Sequence, residues 1–212
     1  MEPVFSSLIP ATFPALALAH FLALLSPGPD FFLVVGHAVR RGLRGAIFIC
    51  LGIAAGNAVY IIAAIVGGTA IKQTPAFYRI MEITGAVFLV WLGGMLIRSA
   101  RRSTSLTIRE SSPLPPIKQL FVGFGSAILN PKNAIFYLTL MTVIIGPQAT
   151  LAQQFFSGTW MVLLVFGWDA ALAAVIGHAK TQRTIERKIP LVEGIAGGFL
   201  VLLALSLIFH PL

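Results

Sequence analysis

The stretch GAIFICLGIAAGNAVYIIAAIVGGTAI, residues 45–71, runs from Arg44 to Lys72 without a charged residue. It exceeds the roughly 20 apolar residues that a helix needs to cross a bilayer, and it shows no polar face for water. The rest of the chain is of the same kind. Of its 212 residues 57% are hydrophobic and only 10% charged, with a mean hydropathy of +0.90, whereas roughly a quarter of the residues in a soluble domain are charged. An ordinary cytosolic protein is excluded, and no length is left over for an extramembrane domain. Cys50, the only cysteine, lies inside this run, so an intramolecular disulfide and paired-thiol redox chemistry are excluded as well.

Toward the amino terminus, residues 11–39 form another apolar segment, charged only at Asp30 and interrupted by Ser26-Pro27-Gly28-Pro29. It is long enough to cross despite the interruption. Met1 to Phe13 carry Glu2 and no Lys or Arg, so the positive flank of a secretory signal peptide is missing and the segment is expected to be retained. Toward the carboxyl terminus a third span is expected over about 76–97, with Arg79 and Glu82 near its start. A polar linker over about 98–118 follows, containing Pro113-Leu114-Pro115-Pro116; such a composition neither packs a core nor spans lipid. Residues 119–146, with Lys132 as their one charge, give a fourth span, about 151–177 with Asp169 a fifth, and about 190–209 with Glu193 a sixth. A hydrophilic turn with Lys180, Arg183, Glu186, Arg187 and Lys188 joins the last two. The expected fold is an all-α integral membrane protein of six transmembrane helices in a single domain.

The formal charge of +8 does not point to nucleic acid, because the 15 Lys and Arg are scattered between apolar segments. Their placement reads as topology. The 1–2, 3–4 and 5–6 connections hold twelve of them and the alternate connections only Lys72 and Arg79. By the positive-inside tendency the basic connections are cytoplasmic and both termini lie on the outer side.

Three spans per half give the halves, about 11–97 and 119–209, opposite orientations, the arrangement of an inverted repeat. Weak internal similarity supports it. Span 1 is interrupted at Gly28-Pro29-Asp30 and span 4 at Asn130-Pro131-Lys132, each with a charge directly after proline. Glu82 precedes Phe88-Leu89-Val90 by five residues, as Glu193 does Phe199-Leu200-Val201, and Asn57 and Asp169 are isolated polar residues of spans 2 and 5.

Proline lacks a backbone donor and clashes with the preceding turn, so spans 1 and 4 are expected to break or kink. Lipid cannot satisfy the freed backbone groups; such breaks persist where they pack in protein or line the wet cavity in which transporters place substrate. The candidate substrate-binding residues are therefore Gly28, Pro29 and Asp30 with Asn130, Pro131, Lys132 and Asn133. A charge deep in a bilayer costs several kcal/mol and marks a partner or a pathway. Asp30 suits an ammonium and Lys132 a carboxylate, together the charge pattern of a free amino acid. Equally, the two pair with each other and clip the halves together, or exchange that pair for substrate contacts. Asn130 and Asn133 serve as caps or as ligands. Asp169, with no base in its own helix, is a candidate proton carrier, unless it pairs with Lys132 or sits near a membrane surface. Asn57 is a secondary candidate and otherwise an interhelical hydrogen-bonding residue. His20, His37, His178 and His210 read as interfacial or structural, Trp91, Trp160 and Trp168 as packing or interface residues, and Gly52, Gly56, Gly93 and Gly94 as points of close helix contact. No cofactor or resident metal is called for.

Ser26-Pro27-Gly28-Pro29-Asp30, followed by Arg41-Gly42 and Gly45, together with Asn130-Pro131-Lys132, resembles the LysE/RhtB family of bacterial amino-acid exporters. The similarity extends over essentially the entire chain. It implies a six-helix inner-membrane carrier that exports amino acids or close derivatives in exchange for protons, and it gives weight to Pro27, Gly28, Pro29, Asp30, Asn130, Pro131 and Lys132. Members of that family carry lysine, arginine, threonine, homoserine, homoserine lactone, leucine or cysteine, and no residue here selects among them; Lys132 slightly disfavours a basic substrate. The expected partners are an amino acid, protons and the lipid bilayer, with a homodimer as a plausible assembly for so small a carrier. The competing function is a divalent-metal or other small-cation exporter of the same superfamily, for which the intramembrane acids are few. An intramembrane enzyme is disfavoured: Gly123-Phe124-Gly125-Ser126 is not the Gly-x-Ser-Gly of a rhomboid protease, and no paired-Asp or His-Glu zinc motif is present.

Overall fold

The computed structural model describes residues 8–25, 28–39, 42–72, 75–101, 114–146, 148–176 and 179–209. Among them are helices and no strands: α1 (Phe13–Leu24), α2 (Pro29–Ala38), α3 (Leu43–Lys72), α4 (Pro75–Ala100), α5 (Pro116–Ile128), α6 (Pro131–Thr139), a π-helical turn over Leu140–Ile144, α7 (Leu151–Ile176) and α8 (Ala179–Phe209). Three stretches, Leu43–Gly67, Ile83–Ala100 and Leu151–Ile176, are long and apolar enough to span a bilayer unaided. Two further pairs do so together: α1 with α2, bent by 57°, and α5 with Lys132–Ile144, bent by 66°. Glu193–Ser206 is a shorter apolar stretch within α8. Exposed Val66, Trp91, Leu163 and Leu202 show that the outer surface is itself apolar, as lipid requires.

The breaks fall where the sequence places them, and the prolines explain how they are tolerated. Pro29 and Pro131 each open a new helix. At a first helical position the missing N–H has no intrahelical acceptor anyway and the fixed φ suits the helix, so each interruption ends one helix and starts another without a lost bond. Ser26 and Pro27 lie outside the described residues.

Glycine sets the closest approaches. A Cβ on Gly52 would stand 2.2 Å from the Leu120 carbonyl oxygen and one on Gly123 2.3 Å from that of Ile49, so α3 and α5 touch backbone to backbone. Gly93 and Gly197 do the same for α4 and α8, each 2.6 Å from the other's carbonyl oxygen if given a Cβ. Of the expected contact glycines Gly52, Gly56 and Gly93 are such points, while Gly94 meets open space. These contacts also fix directions. Gly52 faces Leu120 and Gly56 faces Ala127, so α3 and α5 run parallel; Phe13 packs on Phe156 and Phe21 on Trp168, so α1 and α7 do too. Gly158 meets Ile61 while Gly42 meets Ala173, and Gly93 meets Gly197 while Gly194 meets Ala100, so α3 with α7 and α4 with α8 are antiparallel.

One boundary differs from expectation. The hydrophilic turn between the last two segments is not a turn: α8 begins at Ala179 and carries Thr184, Arg187 and Lys188 as helix. Lys, Arg, Gln and Glu are good helix formers, so polarity there marks a solvated helix. Pro190 lies within it.

Candidate functional site

The two breaks meet. A cavity of about 60 Å³, room for a few waters at roughly 10–15 Å³ each, is lined among others by Gly28, Asp30, Asn57, Asn130, Lys132, Asn133 and Asp169. Residues more than 100 positions apart in sequence are thereby collected at one point. Of the candidates, Pro29 is not in the lining; it opens α2 beside it. The side chain of Pro131 lies outside the described residues.

Asp30 sits in the first turn of α2, where the unpaired N–H groups of the helix start favour a negative charge. Its carboxylate is gripped from the other half of the chain. Ser126 Oγ, on α5, donates to Oδ1 at 2.5 Å, and Asn133 Nδ2, on α6, donates to Oδ2 at 2.9 Å. Asn133 uses the same nitrogen, which carries two hydrogens, to donate to Asn57 Oδ1 on α3 at 3.0 Å. Three segments are thus tied through one amide.

Lys132 occupies the equivalent place in α6, but there the helix start disfavours its positive charge. It is held in the fields of two carboxylates, Asp30 and Glu193. Asn130 is the cap of α6: its Oδ1 accepts from the Lys132 backbone N–H at 3.1 Å. On the other side of the break, Tyr60 Oη donates to the Ile128 carbonyl, so α3 satisfies a carbonyl that the end of α5 leaves open.

Asp169 projects from α7 into the same cavity and is 6% exposed. Its Oδ2 is buried and makes no hydrogen bond among the described residues, and the charge that acts on it is that of Asp30. Val165 and Ile53 also wall the cavity, and Asp169 and Asn57 each lie one helical turn beyond them.

Several residues in or next to the cavity carry no signal in the sequence. Ser126 and Tyr137 are ordinary residues of apolar helices, and Trp168, read as packing, lines the cavity. Glu193, noted above only as a repeat match, is buried at 1% exposure, accepts a hydrogen bond from Ser99 and faces the field of Lys132. His20 is fully buried, its Nε2 3.3 Å from Tyr137 Oη. His37 Nδ1 donates to its own helix at the Leu33 carbonyl, 3.0 Å away. His178, His210, Pro27 and the side chain of Glu82 lie outside the described residues.

Comparison with known proteins gives one consistent picture. The family model of the LysE type translocator matches residues 21–210. The chain is 28% identical to a threonine efflux protein of Salmonella typhi over 191 residues, 88% of this chain and 92% of that one. It is 25% identical to the threonine efflux protein of Escherichia coli K12 over 193 residues, with the same coverages, and 29% identical to a leucine efflux protein of Enterobacter sp. over 179 residues, 79% of this chain and 82% of that one. No solved structure matches.

Proposed function

The chain belongs to the LysE-type translocator family, and from that premise we propose that it exports a free amino acid or a close derivative across the bacterial inner membrane. The observation that carries the reading is the cavity that Asp30 and Lys132, one from each broken segment, both line. Asp30 receives the substrate's ammonium; Lys132, together with the N–H groups at the start of α6, receives the carboxylate. Asn57 and Asn133 offer further polar contacts, and Gly28 with Asn130 shapes the two mouths of the break. Relatives whose names are threonine and leucine efflux proteins favour a neutral side chain, and Lys132 opposes a basic one. No enzymatic step is involved.

Transport proceeds by alternating access, the substrate being exchanged for protons, with Asp169 as the proton carrier. The domain is one unit of six crossings, repeat halves about 11–97 and 119–209 around the cytoplasmic linker 98–118, both termini outside. The helix directions support it: α1 with α7 and α3 with α5 parallel, α3 with α7 and α4 with α8 antiparallel, is what alternate crossing demands. The Ile53–Asn57 and Val165–Asp169 pairs, placed alike around the cavity, support the repeat. A homodimer is compatible with this reading.

A divalent-metal exporter is the second reading. Among the described residues no group of three or more His, Cys, Asp or Glu gathers as a metal site, and the amino-acid reading uses both charges. The test is export of labelled amino acids from loaded vesicles with and without a pH gradient. Export of a neutral amino acid that the gradient accelerates is the expected result; transport of metal ions and of no amino acid would overturn it.

A further inference from the structure

His20 is a buried group that the scheme so far does not use. It lies on α1 at 0% exposure, enclosed by the rings of Phe136 and Trp160 at 6.2 and 5.8 Å. Its Nε2 is 3.3 Å from Tyr137 Oη, and Tyr137 is part of the cavity wall with Asp30 and Asp169. Its Nδ1, on the side away from that bond, is buried and makes no hydrogen bond among the described residues. Two more such atoms, Thr12 Oγ1 and Ser157 Oγ, lie toward the starts of α1 and α7, where Phe13 packs on Phe156 and Trp160. Buried polar atoms are normally hydrogen-bonded, and one that is not lowers stability unless it has a use. An apolar helix pair would hold Phe or Leu here. Instead, polar atoms with unused capacity stand at Thr12 and Ser157, toward the starts of α1 and α7, and at His20, beside Tyr137 of the cavity wall.

We propose that His20 and Tyr137 form the proton route between the outer end of α1 and α7 and the cavity. This rests on the reading of the protein as a proton-coupled exporter. A proton arriving from outside binds His20 Nδ1. Tyr137 gives its hydroxyl proton to a cavity carboxylate, Asp169, directly or through a cavity water, and takes the Nε2 proton of the imidazolium in its place. His20 is left neutral with its proton on Nδ1, and one proton has crossed from outside to the carboxylate. Imidazole suits the task because one nitrogen can bind a proton while the other releases one. The titratable groups that face it are Tyr137 directly and, through Tyr137, Asp30 and Asp169; Phe136 and Trp160 bring none.

Two assays on the purified carrier in proteoliposomes separate this role from a structural one. Exchange of external labelled substrate for internal substrate needs no net proton movement; accumulation driven by a pH gradient does. His20→Gln keeps a donor for Tyr137 but relays nothing, and His20→Phe removes both. Both variants are expected to retain exchange and to lose gradient-driven accumulation by roughly a hundredfold, the scale of a lost acid–base group. If the pair is only a clasp between helices, His20→Gln keeps both activities and His20→Phe loses both together; either result overturns the proposal. A wild-type carrier indifferent to the gradient removes the proton-coupled reading itself, whereas a coupled wild type beside a coupled His20→Gln removes only the route through His20.

Discussion

The two breaks are built from the same parts and held in opposite ways. In both, proline opens the second helix and the next residue is charged. The break before α6 is finished by its own residues, Asn130 accepting from the Lys132 N–H, with Tyr60 covering the Ile128 carbonyl. The break before α2 has Gly28 as its cap, extended and without a side-chain bond, and its charge is fixed entirely from the other half, by Ser126 and Asn133. The electrostatics are opposed too. Asp30 is welcome at a helix start; Lys132 is not, and needs an anion. The difference teaches that the two charges are held by different means: Asp30 rests on neutral donors and a helix start, whereas Lys132 sits against the helix start in the fields of Asp30 and Glu193.

That asymmetry is open to direct tests. Lys132→Met is expected to have the largest effect, a loss of export of roughly a hundredfold or more, because it removes the cation that receives the substrate carboxylate, and truncating one partner of a buried charge contact costs roughly 2–5 kcal/mol; initial rates at matched membrane abundance measure it. Asp30→Asn falls almost as far. Reversing both charges restores nothing if each meets substrate, and recovery of transport in that double variant would mean that the two are merely a clip. Ser126→Ala is expected to be milder, weakening apparent substrate affinity about tenfold, since a hydrogen bond to a charged group contributes roughly 1.5–3 kcal/mol. An unchanged half-saturation concentration would show that Asp30 does not depend on the second half.

Away from the breaks, Gly123→Ala would drive a Cβ to 2.3 Å from the Ile49 carbonyl oxygen and is expected to lower the unfolding temperature in detergent, overpacking costing typically about 1–3 kcal/mol. Gly125→Ala, which meets nothing within 4 Å, should leave that temperature unchanged. Asn130→Ala is the smallest, a capping loss of about 1 kcal/mol, read as a few-fold reduction in rate with substrate selectivity intact.

Much of this was legible from residue types alone. A proline beside a charge inside an apolar run admits few explanations, so both breaks and Asp30, Lys132, Asn130 and Asn133 stood out, and Asn57 and Asp169 did so as single polar residues in otherwise apolar helices. Ser126 and Tyr137 were not legible, because hydroxyls are tolerated anywhere in a span by bonding back to the helix, as Thr139 and Thr142 do to Ile135 and Leu138. Their roles come from what faces them, which sequence spacing does not carry. The surroundings of His20 were not legible for the same reason, since nothing within α1 reveals that Tyr137 and Trp160 close over it. The start of α8 was missed because polarity was taken for irregular backbone.

The central claim, that one cavity reads the two ends of an amino acid with Asp30 and Lys132, is tested most directly by equilibrium binding to the purified carrier of three compounds: the amino acid it exports best, the amide of that acid, and its N-acetyl form. Wild type should bind the first and reject the others. Lys132→Met should no longer distinguish acid from amide, and Asp30→Asn should no longer distinguish the free amine from the acetylated one. Discrimination that survives intact in both variants would contradict the account.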